Sequence, residues 1–184
     1  MAKQFDTLSD AHQAFIGDQQ IFFCATAADE GRVNVSPKDM ASLRILGPNR
    51  IIWRNLTGSG NETAAHLARI NRMTLMWCSF TTRPLILRIY GKARTLHAKD
   101  ADFAALNATF PETFAARQIY DLTLDMVQTS CGYNVPFFEH QGPRDTLEKW
   151  AENKGPDGIK TYWKERNQHS IDGLPTNLPG PDDA

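Results

Sequence analysis

The sequence lacks long hydrophobic runs and has almost no net charge, and each absence excludes a class of protein. No apolar segment approaches the roughly 18 residues of a membrane-spanning helix, and the N-terminus MAKQFDTLSD lacks the apolar centre of a signal peptide. The formal charge is -1, from 20 basic and 21 acidic side chains, which predicts neither nucleic-acid binding nor attraction to an anionic membrane. These absences favour neither a membrane nor a nucleic-acid partner, and the scattered cysteine thiols indicate a cytoplasmic protein.

Cysteine and histidine are also scarce and scattered. Cys24, Cys78 and Cys131 are odd in number and form no CxxC pair, so they are expected to be reduced thiols. The five histidines show no metal-ligand spacing, which argues against a metalloenzyme. With 41% hydrophobic residues, the 184-residue chain can nevertheless bury the core of one ample domain.

Short apolar segments separated by turns predict a mainly antiparallel β fold. Strands are predicted at 21–28, 32–37, 43–46, 50–56, 73–80, 84–96 and 118–129, and helices at 9–16, 62–70 and 99–108. The 118–129 pattern is also compatible with a helix. The first two strands form one hairpin and the next two form another, and Gly91 is expected to bend the long strand at 84–96. Together these elements predict a small barrel of about six strands, with one helix inserted after the fourth.

The composition changes at Gly142, where charged and helix-forming residues replace the strand pattern. We therefore divide the chain into a barrel domain, 1–141, and a helical extension, 142–184. Two helical segments are expected on either side of the GPDG sequence at 155–158, because glycine and proline interrupt helices. The proline-rich end, LPTNLPGPDDA, is expected to be loose.

The segment WRNLTGSGNETAAHL, residues 53–67, places a glycine loop between an apolar strand and a helix. It matches neither G-x-G-x-x-G, since Thr63 occupies the third glycine position, nor a G-K-[ST] loop. A structural interpretation is a capping box in which Ser59 and Glu62 satisfy the helix start. A functional one is an anion site, because the helix start offers free amides and a positive dipole end. Thr57 and Asn61 would add donors, whereas Glu62 would oppose an anion unless it turned into the cap.

Two other segments are candidates for ligand contact. In NVSPKD, residues 34–39, Pro37 is expected to end the strand and project Lys38 away from the sheet. Such a lysine is either solvated or placed beside the ring of a bound nucleotide. In SCGYNVPFF, residues 130–138, the sequence fits a ligand-lining loop or an ordinary turn. Cys131 has no neighbouring base in sequence, which argues against a nucleophile.

The order of these segments resembles the pyridoxamine 5'-phosphate oxidase family, the FMN-binding split barrels. The resemblance covers about Ser9 to Pro136 and includes VSPK, WRNLTGSGNET, INRMTLMW and RIYG in that order. A subgroup of the family also continues through SCGYNVPF and NQHSIDGLP. The resemblance implies a Greek-key split barrel with six antiparallel strands and peripheral helices. It further implies a homodimer that holds FMN between its protomers.

Carried over by position, the family's cofactor contacts fall on four parts of the chain. Lys38 matches the lysine that contacts the isoalloxazine ring, and Asn34, Val35 and Ser36 match the strand along its pyrimidine edge. Trp53, Arg54 and Asn55 match the family's strand-end residues. Asn61, Glu62 and Thr63 replace a serine and basic residues that grip the phosphate. We therefore expect Arg54 to supply the missing charge, and Tyr133 to reach the ring held by the partner protomer.

Two departures concern the reaction. Ile86 stands where the family typically has a flavin-contacting glutamine, and the Arg166–His169 spacing differs from the Arg-x-His segment that binds substrate phosphate. The resemblance thus implies an FMN-dependent oxidoreductase that does not oxidise pyridoxamine phosphate. The substrate and any catalytic acid or base stay unidentified. Three alternatives stay open: a non-catalytic flavin-binding or sensor protein, a haem-binding barrel and a deazaflavin-binding barrel.

Overall fold

The computed structural model, which describes residues 2–180, is organised around one curved antiparallel sheet. Its strands are β1 (Lys3–Phe5), β2 (Ile21–Thr26), β3 (Asn34–Asp39), β4 (Leu43–Gly47), β5 (Arg50–Leu56), β6 (Met73–Cys78), β7 (Ile86–Leu96) and β8 (Ala116–Ser130). Seven follow the order β3-β2-β6-β7-β8-β5-β4, and β1 pairs with β8. The split-barrel class is confirmed, but the strand count of six is too low. The seven segments predicted as strands correspond to β2 to β8. The eighth strand, β1, has only three residues, all exposed, so it has no buried face that could produce a periodic signal.

Alternation of buried and half-buried residues explains how the sheet encloses its core. In β2 and β6 every second side chain points inward. Phe22 and Trp77 are fully buried there, with their rings stacked at 5.9 Å between centroids. Trp53 packs on Tyr120 at 4.6 Å from the opposite side of the core. These large aromatic side chains pack with buried aliphatic residues in one core cluster that joins the two sides of the sheet.

The strand pairing confirms both predicted hairpins, β2–β3 and β4–β5. The ambiguous 118–129 segment is a strand, since β8 pairs with β1, β5 and β7. The β7–β8 register shifts between Tyr90 and Gly91, as expected for a bend at this glycine. A Cβ at Gly91 would collide with the carbonyl oxygen of Thr123, so the close approach of the two strands requires glycine.

Four α-helices lie outside the sheet: α1 (Asp10–Gly17), α2 (Glu62–Arg69), α3 (Phe103–Asn107) and α4 (Thr146–Arg166). Ser9 caps α1 by accepting a hydrogen bond from the amide of His12 at 3.3 Å. The predicted interruption of the C-terminal helix is present, because Gly155 has a φ of 65° and Pro156 follows it. The two parts of α4 bury Ala151 and Ile159 against the barrel. None of the described helices is long and apolar enough to cross a bilayer.

The chain after α4 differs from the loose tail that the sequence predicted. Thr176 and Leu178 are buried, and the amide of Thr176 donates to the carbonyl of Gln168 at 3.0 Å. Prolines and glycines prevent regular structure here, but the segment is fixed by side-chain and backbone hydrogen bonds to its neighbours. The last residues of the predicted tail, 181–184, lie outside the described part of the chain.

Candidate functional site

A cavity of about 300 Å³ opens between β3, the end of β5 and the loop before α2. That volume is at the lower end of the usual range for small-molecule sites. Its lining residues come from β3, β5, the glycine loop, the first turn of α2 and the start of β8; they are Asn34, Ser36, Lys38, Trp53, Asn55, Leu56, Gly58, Ser59, Gly60, Asn61, Glu62, Thr63 and Arg117. The tertiary fold thus brings together segments that the sequence analysis identified separately.

On β3, alternate side chains face the cavity. Asn34, Ser36 and Lys38 line it. The side-chain Nδ2 of Asn34 donates to the hydroxyl of Thr63 at 3.4 Å. The side chain of Val35 is 61% exposed and is absent from the lining. Because successive side chains of a strand point to opposite faces, Val35 cannot share a side-chain surface with its two neighbours.

Lys38 does not project away from the sheet as the sequence predicted. β3 continues through Pro37 to Asp39, and Lys38 pairs in register with Phe22. The strand tolerates proline because β3 is an edge strand of the sheet. The Lys38 ammonium lies 5.4 Å from the centre of the Trp53 ring, where the negative face of the indole attracts it. Burial lowers the pKa of Lys38.

On β5, only two of the three predicted contact residues line the cavity. Trp53 and Asn55 do so, whereas Arg54 points to the opposite face of the strand. There its guanidinium donates to the carbonyl of Pro111 at 2.7 Å and lies 4.8 Å from the ring centre of Phe110. The guanidinium of Arg54 therefore lies outside this cavity, for the same reason of strand alternation.

Arg117, at the start of β8, is the arginine that contacts the glycine loop, where the sequence analysis expected the charge of Arg54. Its Nη2 donates to the carbonyl of Gly60 at 2.8 Å, and its Nη1 lies 3.4 Å from the carbonyl of Gly58. The side chain is only 4% exposed, and its Nε has no partner among the described residues. Burial lowers the pKa of Arg117 to about 10, so the group remains cationic at neutral pH.

Among the described residues, a buried cation without a carboxylate partner occurs at both Arg54 and Arg117, and of the two only Arg117 lines the cavity. Within residues 2–180 no salt bridge joins it to a carboxylate, although a buried cation is costly unless an anion compensates it. The sequence analysis missed this residue, but a signal exists: an arginine stands at the start of a strand, ARQIY, and the strand contributes no acidic side chain before Asp121. Such an arginine requires a partner that the strand itself does not provide.

The helix start is not closed by the predicted capping box. Asn61, rather than Ser59, is the residue before α2, and no described side chain caps the helix there. Glu62 instead accepts the amide hydrogen of Ile171 with both carboxylate oxygens, at 3.0 and 3.2 Å. The first helical hydrogen bond runs from Ala65 to the carbonyl of Asn61, so the amides of the first turn have no helical partner. The helix start can therefore receive an anion.

The C-terminal extension contacts this loop directly. Trp163 donates from its indole to the hydroxyl of Thr57 at 2.7 Å, and Asn167 donates from Nδ2 to the carbonyl of Gly58 at 3.0 Å. The sequence alone gave no role to NQHSIDGLP. Its first residue lies behind the loop, where it is completely buried.

Two further predictions concern residues outside the cavity. Tyr133 is 82% exposed and is absent from the lining, so its contact with a partner protomer stays a prediction. Cys131 is an exposed free thiol. No histidine lines the cavity, and no cluster of three or more potential metal ligands occurs within the described residues.

Comparison with known proteins identifies relatives of this fold. The family model described as pyridoxamine 5'-phosphate oxidase matches residues 8–131. The chain is 32% identical over 191 residues to the pyridoxamine 5'-phosphate oxidase family protein ustO of Aspergillus flavus, covering 93% of this chain and 76% of the relative.

Solved structures of distant sequence share the same architecture. A candidate pyridoxamine 5'-phosphate oxidase from Lactobacillus delbrueckii superimposes with a TM-score of 0.55 at 19% identity, covering 67% of this chain and 94% of the other. A single-residue variant of HupZ from Group A Streptococcus gives 0.53 at 15% identity, covering 67% of this chain and 99% of the other. At these identities the superpositions describe the fold.

Proposed function

Since the chain belongs to the pyridoxamine 5'-phosphate oxidase family, we propose that it is an FMN-binding oxidoreductase whose cofactor lies in the cavity beside α2. The substrate is a small molecule other than pyridoxamine phosphate. The proposal includes a cytoplasmic homodimer, as the family resemblance implies. The deazaflavin, haem and non-catalytic alternatives differ from it in the spectrum and the reduction of the bound group.

The single observation that carries the proposal is the buried, uncompensated cation of Arg117. Its guanidinium lines the cavity, its Nε is unpartnered among the described residues, and it lies next to a helix start whose first amides have no helical partner. A phosphate brings the negative charge and acceptor oxygens that these donors lack. Gly58 leaves open space where a Cβ would stand, so a ligand can approach the loop backbone closely. The residues of this chain thus fit the phosphate of FMN.

The other end of the cavity suits a planar ring. Trp53 and Lys38 both line the cavity, and the Lys38 ammonium lies over the buried indole. Bound FMN supplies hydride transfer between a donor and an acceptor; the protein contributes orientation and charge. Lys38 would place positive charge beside a ring bound here and would stabilise negative charge that the ring gains on reduction. One such donor in a dry site contributes on the order of 2–4 kcal/mol.

The carboxylate of Glu62 does not contradict an anion at this site. Its two oxygens accept the amide of Ile171, so the side chain is held by the C-terminal segment. Glu62 still lines the cavity, so this hydrogen bond offsets part of its charge and fixes its position without removing it from the site.

The visible absorption spectrum of the purified protein tests this function. We expect the bands of oxidised flavin and, after heat release, a compound that co-migrates with FMN on chromatography. A Soret band would identify a haem protein, and a released compound with a deazaflavin spectrum would identify that alternative. A protein that stays colourless after incubation with FMN refutes the proposal. The sensor alternative would be favoured if bound FMN were reduced no faster than free FMN by any donor, including nicotinamide nucleotides.

A further inference from the structure

The segment Asn167–Thr176, here called the brace, follows α4 and lies against the glycine loop of the proposed cofactor site. We propose that the brace, through Asn167, positions the Gly58–Thr63 loop for the phosphate and is therefore part of the binding site. This inference rests on the proposed function, but it assigns a specific task to a segment that contributes no residue to the cavity lining.

Asn167 is placed to fix the loop from behind. It ends α4 by donating its amide to the carbonyl of Trp163 at 3.1 Å. Its Nδ2 donates to the carbonyl of Gly58 at 3.0 Å, and its backbone carbonyl accepts the Nδ2 of Asn61 at 3.3 Å. One buried residue therefore connects the end of a helix to two separate points of a loop that has no regular structure.

The geometry of the peptide bond converts this contact into an orientation of donors. In a trans peptide the carbonyl of one residue and the amide of the next point in opposite directions. Asn167 and Arg117 both donate to the carbonyl of Gly58, and Arg117 donates to that of Gly60. Fixing these two carbonyls also fixes the directions of the Ser59 and Asn61 amides, which belong to the same peptide planes. The loop thus presents N–H groups without having to reorganise when an anion binds.

The rest of the brace holds Asn167 and ties the loop to a second wall of the cavity. The hydroxyl of Thr176 donates to the Asn167 carbonyl at 2.7 Å, and the amide of Ile171 donates to Glu62. Asp172 accepts the backbone amide of Arg32, in the turn before β3, at 2.7 Å and also pairs with its guanidinium. Both β3 and the glycine loop are therefore anchored to the same short segment.

The test compares FMN with riboflavin, which has the same ring but no phosphate. Asn167→Leu has a similar volume and removes the donor facing Gly58 without adding a charge, so we expect FMN affinity to fall at least tenfold. Riboflavin affinity should change less than twofold, because the ring end of the cavity lies on other elements. Hydrogen exchange of amides 58–63 in the flavin-free protein should become faster. His169→Ala, an exposed position within the brace, is the matched control and should change none of these.

Thr176→Val provides a second variant of nearly identical shape, in case Asn167→Leu does not fold. It removes the hydroxyl that holds the Asn167 carbonyl, and should change the same measurements in the same direction by a smaller factor. Equal loss of both flavins, or no loss, overturns the inference even when the wild-type protein binds FMN. A wild-type protein that takes up neither flavin refutes the proposed function; unchanged exchange at 58–63 in the variants refutes the positioning role separately.

Discussion

Arg117 donates a hydrogen bond of 2.8 Å to the carbonyl of Gly60, and no carboxylate among the described residues balances its charge. A protein that buried this cation only for stability would gain little, since an apolar residue of similar volume is often as stable or more stable. The position makes physical sense when an anion completes it. The free-energy cost of burying the Arg117 charge is therefore offset when an anion binds in the cavity.

Replacing Arg117 by methionine should separate binding from stability. We expect FMN affinity to fall about 10- to 100-fold, because a charge-assisted hydrogen bond contributes on the order of 1.5–3 kcal/mol. The flavin-free protein should unfold at the same temperature or higher, since a buried unpaired charge is removed. Fluorescence titration with FMN and thermal unfolding without it measure the two effects.

Arg54→Met is the matched control for that substitution. Arg54 is also a buried arginine of the sheet, but it donates to Pro111 on the opposite face of β5. Its loss should leave FMN affinity within about twofold of wild type. The binding free energy would then change by much less than the roughly 1.4 kcal/mol of a tenfold effect. If Arg54→Met weakened FMN as much as Arg117→Met, the assignment of the phosphate to Arg117 would be incorrect.

Lys38→Met should slow the reduction of bound FMN without abolishing binding. Loss of about 2–4 kcal/mol of charge stabilisation corresponds to a reduction rate about 30- to 1000-fold slower. Stopped-flow reduction by a fixed donor measures the rate. Lys38→Arg retains the positive charge and should preserve most of the reduction rate. A Lys38→Met protein that is reduced at the wild-type rate would exclude this role.

The same lysine should give the reduction rate a characteristic dependence on pH. Lys38 is charged below its pKa and neutral above it, and burial lowers that pKa from the ordinary value of 10.5. The rate should therefore be constant at lower pH and fall as the pH rises through a pKa below 10.5. In Lys38→Arg this fall should disappear from the accessible range, because arginine stays protonated. A wild-type profile identical to that of Lys38→Arg would contradict the assignment.

Gly91→Ala should destabilise the barrel. An added Cβ meets the carbonyl oxygen of Thr123 on the neighbouring strand, and a backbone atom cannot move aside easily. We expect a loss of about 2–3 kcal/mol in the free energy of unfolding, the upper part of the range for overpacked sites. Gly47→Ala is the control, since a Cβ there meets nothing within 4 Å. Equal stability of the two variants in urea unfolding would show that the strands at Gly91 can separate without cost.

In the sequence analysis, neighbouring residues of one strand were assigned to the same cofactor site. The alternation of side chains along a strand shows that they cannot both face one cavity. Trp53 and Arg54 were both assigned to the cofactor, as were Ser36 and Val35, although neighbouring side chains of a strand face opposite ways. The family resemblance transferred whole segments, whereas a cavity receives only every second side chain of each strand. The structure retains Trp53 and Ser36 in the lining and turns Arg54 and Val35 away.

The helix start illustrates a different limit. S-x-x-E is a valid local pattern for a capping box, but Glu62 bonds to Ile171, more than a hundred residues later in the chain. Local sequence cannot reveal that a distant amide competes for the same carboxylate. Lys38 shows the same limit, since its place above Trp53 depends on how β3 and β5 curve towards each other.

By itself, the sequence determined what depends on neighbours along the chain. Hydrophobic periodicity located the hairpins, glycine and proline located the bend and the helix break, and the order of motifs identified the family. Only the tertiary structure decided which charges share a cavity. Arg117 and Asn167 reach one loop from separate elements, and no local rule specifies such contacts, because they arise from the curvature of the sheet and the path of the chain after α4.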